Sequence, residues 1–449
     1  MTNMSTLTTA NAPSALHNDF GTLIDATIAS FYKANEPGAT VIVMFDGATM
    51  FRKAYGMASI AKQEAVTPDT TMRLGSISKQ FTAVSILMLI EEGKLSLADK
   101  IVEFFPDYPE QGSQITVEHL LTHTSGIVSY TDKEEFDANI AAELSVAEVI
   151  DSFKNDPLEF APGTDFKYNN SGYFLLGALI EKTSGLAYAK FVEQRIFLPL
   201  GMNCTYYEGY ELSLQRAAAG HTYCDGSFVP CDPMSISQAY AAGALVSNVD
   251  DLARWENAIV SGKLISAANW ARAFTLYRLA DGSSCAYGYG WEIGTLQQRP
   301  MLAHGGGING FQSFALRLPK DQLFVAVLSN ADFGIVDPGY VAHKIAAIAI
   351  GKPIQDFKEI KLDANLLDTY VGVYTVNALE QRTFWREGDQ LLMLRAGGDI
   401  TPVHPYSNHE FFIKNTLVHM EFVRDVTGTV AKVVLHQNGE VNENLRVAA

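Results

Sequence analysis

An almost wholly apolar segment constrains the fold of this chain more than any other feature. From Arg73 to Gly93 the sequence reads RLGSISKQFTAVSILMLIEEG, and only small hydroxyl residues interrupt the apolar run after Gln80. A helix that is apolar on every side must be buried on most sides, so other elements have to enclose it. Gly93 is predicted to follow the end of this helix, because glycine readily adopts the left-handed conformation found there.

Three Ser-x-x-Lys pairs occur early in the chain, and their surroundings differ. Ser30–Lys33 falls late in a predicted surface helix, and Ser59–Lys62 falls in polar loop sequence. Ser76–Lys79 lies where the apolar helix begins, which puts both side chains on one face, one turn apart. Burial and the helix N-terminus would both lower the pKa of the lysine, and a neutral amine beside a hydroxyl is a general base beside a nucleophile. The alternative is that the serine caps the helix and the lysine extends to solvent.

Two further polar segments have the residue types that such a site needs. FKYNNSGY places Tyr168 and Asn170 two residues apart, so their side chains point the same way in extended backbone. A phenol carries a proton, and an amide both donates and accepts hydrogen bonds. MLAHGGGINGF places His304 at the predicted end of a strand, before three glycines that allow close approach to the backbone. A strand N–H there would supply half of an oxyanion hole, although each segment alone also fits an ordinary turn.

Hydrophobic periodicity predicts an α+β fold for most of the chain. A helix signal over Asp19–Lys33 precedes two β-rich runs that flank Asp46-Gly47, a strong hairpin signal. Helices and long loops prevail from about residue 95 to 246, and strand-like alternation returns after Gly288. Because consecutive strands can pair as hairpins, we expect a mostly antiparallel sheet covered by helices, with a helical subdomain inserted.

The last hundred residues have a different hydrophobic periodicity. After Gly351-Lys352-Pro353 only short strands follow, separated by Gly, Asp and Asn turns, which predicts a small antiparallel β-barrel. The predicted organisation is a flexible N-terminus over 1–17, a first domain over 18–351 with its helical insertion at about 95–246, and a barrel domain over 356–449.

Charge and composition exclude several classes of partner. The formal net charge of −17 argues against a nucleic acid, whose phosphates the protein would repel. No apolar stretch has the length of a membrane span.

The N-terminal residues lack the basic and apolar regions of a secretory signal, so we expect a cytoplasmic protein with reduced cysteines. A Cys224–Cys231 bridge in a loop stays open.

No metal or cofactor is expected. His119 and His123 have the spacing of two helical metal ligands, but no glutamate follows the first histidine as in the zinc motif H-E-x-x-H. GGGING follows a strand and precedes another strand, which does not fit a dinucleotide-binding turn.

In this order, the three polar segments resemble the signature of the penicillin-recognising serine enzymes, which include the serine β-lactamases, the penicillin-binding proteins and related esterases and D-amino-acid peptidases. The elements here are Ser76–Lys79, Tyr168–Asn170 and His304–Gly306. LLTHTSGI and FAPGTDFKYNNSGY are similar to the class C β-lactamase-like branch. The resemblance covers roughly residues 18–350, and residues 355–449 resemble the lipocalin-like barrel that some members carry.

The resemblance implies a serine hydrolase that works through an acyl-enzyme. Ser76 would be acylated, Lys79 and Tyr168 would together remove its proton, and Tyr168 would pass a proton to the leaving group. Substrate binding and oxyanion stabilisation would fall to Asn170, His304, Gly306 and Gly307, with the backbone N–H groups of Ser76 and Gly307 as the oxyanion hole.

The third motif departs from the pattern of true β-lactamases. Those enzymes and the D,D-carboxypeptidases usually carry lysine where this chain has His304, and a fixed cation suits a substrate carboxylate. A histidine is only partly charged near neutrality. Because His-x-Gly occurs in D-aminopeptidases, amidases and esterases of the family, the expected substrate is a small amide, ester or short peptide, for example one with a D-amino acid. An acyltransferase using the same site, a non-catalytic homologue and a homo-oligomer stay open.

Overall fold

The computed structural model describes residues 17–209, 216–377, 380–395 and 398–447. The flexible N-terminus predicted for residues 1–17 lies outside these ranges, except for His17, which begins the first helix. The predicted bounds of the two domains stay predictions.

Six helices of at least eight residues occur in the described part of the chain. They are α1 (His17–Ala29), α2 (Ser78–Glu91), α3 (Asn170–Ser184), α4 (Ile236–Gly243), α5 (Val249–Val260) and α6 (Pro338–Ala349). Shorter helices are Ile101–Phe104, Val117–Leu121, Glu134–Asn139, Val146–Asp151, Tyr188–Val192, Leu198–Leu200, Ala267–Ala273 and Ala364–Asp368. A π-helical turn spans Glu193–Phe197, and 3-10 turns span Gly75–Ile77, Glu110–Gln114, Tyr130–Asp132 and Pro319–Asp321.

A six-stranded antiparallel sheet forms the frame of the first part. Its strands are β1 (Ala39–Phe45), β2 (Ala48–Tyr55), β3 (Glu292–Leu296), β4 (Arg299–Ile308), β5 (Phe311–Leu318) and β6 (Leu323–Ser329). Their order in space is β3-β4-β5-β6-β1-β2, so the N-terminal hairpin joins the sheet beside its last strand. The predicted turn joins β1 to β2, and both Asp46 and Gly47 have the positive φ that a tight hairpin turn requires.

Both faces of the sheet are buried, which explains the unbroken apolar runs ATVIVMF and LFVAVLS. Along β1, Ile42 faces one core, while its neighbours Val41 and Val43 face another. Helices α2, α3, α4 and α5 contribute to the first core, and α1 and α6 contribute to the second. The predicted antiparallel sheet covered by helices is therefore confirmed.

Helix α2 is enclosed as its sequence predicted, and every residue from Ser78 to Leu89 is buried. The α-helix begins later than expected, because Gly75 (φ +52°) starts a 3-10 turn that carries Ser76. Ser76 and Lys79 still lie one turn apart. The helix ends at Glu91, and Gly93 has a φ of +68°, as expected of a residue that follows a helix.

The region from 95 to 246 is mostly helix and loop, but it also contains short strands that the sequence did not predict. They are Tyr206–Tyr207, His221–Cys224, Ser227–Pro230 and Leu245–Ser247. Three more short strands outside the main sheet and the barrel precede this region, at Met57–Ser59, Glu64–Ala65 and Met72–Arg73. The short strands at residues 72–73, 206–207 and 245–247 form a small sheet that holds the segment before Ser76 in place.

The prediction that His304 ends a strand is wrong, since β4 continues to Ile308. The glycines stay extended, with Gly305 opposite Phe314 and Gly307 opposite Gln312 on β5. Pairing with β5 keeps these residues in the strand, and close packing requires glycine, since a Cβ on Gly306 would lie 2.0 Å from the backbone oxygen of Leu74.

The predicted antiparallel barrel is confirmed as a closed barrel of eight strands. The strands are β7 (Gly372–Thr375), β8 (Gln381–Glu387), β9 (Gln390–Arg395), β10 (Thr401–Pro405), β11 (Glu410–Phe412), β12 (Val418–Arg424), β13 (Val430–Gln437) and β14 (Glu440–Arg446). The barrel core includes Tyr374, Phe384, Met393, Phe411, Met420, Phe422 and Val433. A barrel of eight strands is just wide enough for side chains to fill it, and here aromatic rings do so.

The linker after α6 connects the barrel to the first part. Lys344 of α6 pairs with Asp356, and the ring of Phe357 lies 4.2 Å from that of Tyr406 on the barrel. A cavity of about 830 Å³ lies between α1, α6, this linker and the barrel.

Two further findings concern expectations from composition. Among the described residues, no helix has both the length and the apolar character needed to cross a membrane. All four cysteines are free thiols, so Cys224 and Cys231 do not form the bridge that the sequence left open.

Replacing Phe422 by alanine tests the barrel core. Its side chain is 1% exposed and contacts the rings of Tyr370, Tyr374, Phe384 and Phe411. The cavity left by Phe422→Ala should lower the free energy of unfolding of the barrel by about 3–5 kcal/mol, measured by urea denaturation. Val426→Ala is the control, because Val426 is fully exposed in a turn and should change stability by no more than about 0.5 kcal/mol. Equal effects of the two changes would contradict a packed interior.

Candidate active site

The amine of Lys79 lies at the centre of the candidate site. Its Nζ is 3.0 Å from Ser76 Oγ, 2.8 Å from Asn170 Oδ1 and 3.0 Å from the backbone oxygen of Ala242. The residue is 0% exposed, and burial lowers the pKa of its amine well below the ordinary value of 10.5. The structure therefore brings together Ser76, Lys79 and Asn170, as the sequence predicted.

The partners of Lys79 determine where its protons lie in the neutral form. Asn170 Oδ1 and the Ala242 carbonyl can only accept, so each takes one proton of the amine. Towards Ser76 Oγ, to which the ammonium form donates, the neutral amine can then present its lone pair. This arrangement allows the amine to take the proton of Ser76 as its oxygen attacks a carbonyl.

The carbonyl of Ala242 reaches Lys79 because helix α4 is kinked. Tyr240 has a φ of +38° and a ψ of −132° inside this helix. The backbone oxygens of Ala241 and Ala242 then accept from Thr82 Oγ1, at 2.7 Å, and from Lys79 Nζ. The sequence reading missed this kink, because SQAYAAG contains no proline or internal glycine that would indicate it.

Tyr168 lies beside this pair, with its ring centre 4.8 Å from Lys79 Nζ. Its Oη is buried and makes no hydrogen bond of ordinary geometry to a described residue, although the Ser76 hydroxyl is close enough to interact with it. Burial raises the pKa of Tyr168, while the neighbouring Ser76 hydroxyl acts in the opposite direction. The phenol is therefore protonated at neutral pH. A buried polar atom without a partner is rare, and a catalytic role is one of its ordinary explanations.

Asn170 is held from both ends of its amide. Its Oδ1 accepts from Lys79, and its Nδ2 donates to Thr131 Oγ1 at 2.9 Å. Its backbone N–H donates to Ser129 Oγ at 3.2 Å. Asn170 begins helix α3, which Asn169 caps by accepting from the N–H of Gly172, so the NNSG sequence explains the position of the side chain.

His304 is neutral, which corrects the expectation of a partly charged side chain. Its Nδ1 lies 2.6 Å from the backbone oxygen of Gly305, and its Nε2 lies 2.7 Å from Tyr287 Oη. Because a carbonyl only accepts, Nδ1 carries the proton and Nε2 accepts from the tyrosine. Burial, together with nearby Lys79, lowers the pKa of His304 from 6.5 to about 3. Both ring nitrogens are thus bound within the protein, and His304 is no fixed cation for a substrate carboxylate.

Gly306 and Gly307 bring strand β4 against the start of the 3-10 turn. Ser313 of β5 donates to the Leu74 backbone oxygen at 2.7 Å, which fixes the chain just before Gly75. A Cβ on Gly75 would lie 2.9 Å from the backbone nitrogen of Gly307. The N–H of Gly307 is thus next to the Gly75-Ser76 peptide, where the sequence predicted an oxyanion hole.

The other Ser-x-x-Lys pairs do not form such a site. Lys33 is largely exposed and pairs with Glu36, and Ser59 Oγ accepts from the backbone N–H of Lys62. The HLLTH histidines also separate: His119 caps the start of a short helix through Thr116, whereas His123 lies beyond that helix with a φ of +59°.

The sequence reading missed the aromatic residues that surround the site. His123, Tyr173 and Tyr287 lie within reach of Tyr168 or Lys79, with ring-centre distances of 4.4 Å for His123–Tyr168 and 4.6 Å for His123–Tyr287. The motif LLTHTSGI supported the family resemblance but gave His123 no role in the site, and no local pattern indicated Tyr287.

Comparison with known proteins decides the family. Residues 24–350 match the protein-family model described as Beta-lactamase, which is most of the chain. The chain belongs to the beta-lactamase family. It is a serine hydrolase of that superfamily, as the resemblance of its three motifs implied.

Relatives of this beta-lactamase family member include penicillin-binding proteins and an amidohydrolase. Penicillin-binding protein 4* of Bacillus subtilis (strain 168) is 29% identical over 430 residues, which cover 91% of this chain and 94% of the relative. The structure of the octameric penicillin-binding protein homologue from Pyrococcus abyssi matches with a TM-score of 0.68 and 27% identity, over 95% of this chain and 99% of that one. A D-stereospecific amidohydrolase from Streptomyces sp. matches with a TM-score of 0.60 and 26% identity, over 70% of this chain and 94% of that one.

Gly306 and Gly307, which are adjacent on β4, provide a matched test of how β4 packs against the segment before Ser76. A Cβ on Gly306 would lie 2.0 Å from Leu74 O and 2.5 Å from Ser313 Oγ, whereas a Cβ on Gly307 would meet no atom within 4 Å. Gly306→Ala should therefore lower the free energy of unfolding by about 2–3 kcal/mol in urea denaturation, because backbone must move. Gly307→Ala should change it by less than about 1 kcal/mol. Equal stability of the two variants would contradict the described contact.

The neutral state of His304 predicts a pH dependence of stability. Between its unfolded pKa of 6.5 and its folded pKa of about 3, the unfolded chain binds a proton that the folded chain does not. Its contribution is therefore present above pH 6.5 and declines as the pH falls, by about 1.4 kcal/mol per pH unit. The stability difference between the native protein and His304→Asn should therefore shrink by about 2 kcal/mol between pH 7.5 and pH 5, measured by urea denaturation. A difference that stays constant would show that His304 titrates normally.

Proposed function

We propose that this family member cleaves amide or ester bonds of small substrates through an acyl-enzyme on Ser76. The observation that carries the proposal is the desolvated Lys79 amine, 3.0 Å from Ser76 Oγ and bound on its other sides to oxygens that only accept. Such an amine has one lone pair for the serine proton, and its burial favours the neutral form that can accept this proton.

The reaction that this arrangement supports has two stages. Ser76 Oγ attacks the substrate carbonyl, and its proton passes to Lys79. Tyr168 delivers its proton to the leaving nitrogen or oxygen as the scissile bond breaks, and takes up the proton from Lys79 in exchange. Water then attacks the acyl-enzyme and gives a proton to Lys79, and Ser76 Oγ takes that proton back as the acid is released. The N–H groups of Ser76 and Gly307 would bind the carbonyl oxygen as it becomes negative; one such donor typically contributes about 3 kcal/mol.

The substrate class follows from the neutral third motif. His304 presents neither a charge nor a free ring nitrogen, so it does not provide the cation that would bind a carboxylate. Amides, esters and short peptides without a carboxylate beside the scissile bond are therefore favoured over penicillins. The relative from Streptomyces is described as a D-stereospecific amidohydrolase, which supports amides of D-amino acids as the first substrates to test.

Assembly and location stay predictions. The Pyrococcus abyssi homologue is described as octameric, which supports testing this chain for a homo-oligomer. The cytoplasmic location is inferred from the sequence alone.

Labelling with a fluorophosphonate tests the nucleophile. The native protein should gain one adduct in intact-mass spectrometry, and peptide mapping should place it on Ser76, because this is the serine whose proton a buried amine can take. Ser76→Ala should gain none. Hydrolysis of D-alanine p-nitroanilide and p-nitrophenyl acetate should fall at least about 1000-fold in the same variant, as expected when a nucleophile is removed.

Ser30→Ala provides the matched control, because it removes the serine of an equally spaced pair whose lysine is exposed. It should be labelled and active like the native protein. An adduct on another serine, or no adduct with an otherwise folded protein, would contradict the proposed acyl-enzyme.

A further inference from the structure

His123 belongs to LLTHTSGI, a motif to which the proposed reaction assigns no role. The residue is 1% exposed and has a φ of +59°. A positive φ is uncommon for any residue other than glycine and persists only where the surroundings impose it. The conformation of His123 is therefore held by specific contacts.

Those contacts lie on both sides of Tyr168. The backbone oxygen of His123 accepts from the N–H of Lys167 at 3.1 Å, and its Nδ1 accepts from the N–H of Asn169 at 3.0 Å. Between these hydrogen bonds, the imidazole lies against the phenol ring, with centres 4.4 Å apart and planes inclined by 38°. One histidine thus binds the residue before the tyrosine, the residue after it and the tyrosine ring itself.

Tyr168 needs such a holder because its hydroxyl lacks a structural partner. The buried Oη makes no hydrogen bond of ordinary geometry to a described residue, and its interaction with the Ser76 hydroxyl is the reacting contact that has to be held in place. Backbone placement and ring packing have to hold it. We propose that His123 is a positioning residue that holds Tyr168 against Ser76 and Lys79. This inference rests on the proposed function, in which Tyr168 carries a proton.

The hydrogen bonds of His123 also define its tautomer. Because Nδ1 accepts from a backbone N–H, the ring proton is on Nε2, which has no hydrogen-bond partner among the described residues. Burial, with Lys79 and His304 nearby, lowers the pKa of His123 well below 6.5, so the ring stays neutral. Protonation of Nδ1 would break the bond to Asn169, and the neutral ring therefore keeps Tyr168 in place at neutral pH.

A double-mutant cycle tests whether His123 acts through Tyr168. The second-order rate constant for fluorophosphonate labelling of Ser76 is measured for the native protein, His123→Asn, Tyr168→Phe and the double variant. Asparagine tolerates positive φ and has an oxygen where His123 has Nδ1, so His123→Asn removes the ring contact and keeps the backbone acceptor. We expect about a 10-fold loss for His123→Asn, about a 100-fold loss for Tyr168→Phe, and no further loss in the double variant.

Two more variants separate positioning from general damage. His123→Phe keeps a ring and removes the acceptor, so it should also slow labelling and should also add nothing to Tyr168→Phe. His119→Asn changes the other histidine of HLLTH, which caps a short helix through Thr116, and should label at the native rate. Melting temperatures of all variants are measured alongside.

The outcomes distinguish this inference from the function on which it rests. If the native protein is not labelled at Ser76, the proposed function fails. If the native protein is labelled but both His123 variants label at its rate, or their losses multiply with that of Tyr168→Phe, only the positioning role fails. Losses that disappear in the Tyr168→Phe background support it.

Discussion

The candidate site depends on one amine that has been taken out of water. An ammonium ion buried without a counter-charge costs several kcal/mol, so the fold favours the neutral form of Lys79. Its neighbours follow the same rule: His304 and His123 stay uncharged, and Tyr168 keeps its proton. The chain has a formal net charge of −17, yet beside Ser76 burial disfavours the charged forms of Lys79, His304 and His123.

Holding that amine requires parts of the chain that are far apart in sequence. Ser76 comes from a 3-10 turn, Asn170 from the first residue of α3, and the Ala242 carbonyl from the kinked helix α4. The kink has a cost, since a tyrosine with positive φ is strained by about 1–3 kcal/mol. That strain is offset by the hydrogen bonds that the freed carbonyls make to Thr82 and Lys79. The arrangement is rigid because each partner of Lys79 lies on an element fixed by its own packing.

The residue types of the site and the lowered pKa of Lys79 could be predicted from sequence, but the protonation state of His304 could not. Ser76, Lys79, Tyr168 and Asn170 stand out because the chemistry needs these groups at these spacings. His304 was expected to be partly charged. It is neutral because it is buried, and its burial depends on Tyr287 and on neighbours that no local pattern reveals.

The fold was predictable where periodicity and turns were strong, and less so elsewhere. In the barrel, apolar alternation does not indicate β10, whose five residues include two prolines, or β14, whose exposed residues are mostly polar. In β14, Asn444 is buried and its Oδ1 accepts from Arg382 at 2.6 Å. Because this buried position is polar, the strand lacks the hydrophobic alternation by which it could be predicted.

The order of strands in the sheet has a consequence for how the protein is made. The first hairpin joins the sheet through β6, and Asn330 then accepts from the N–H of Gly38, 292 residues earlier. At about 5–20 residues per second, a ribosome needs roughly 15–60 s to make that intervening stretch. Throughout this time the apolar run ATVIVMF lacks the strand that will cover its edge. A nascent chain of this protein is therefore most exposed to aggregation before its sheet closes, and assistance by chaperones is most valuable in that interval.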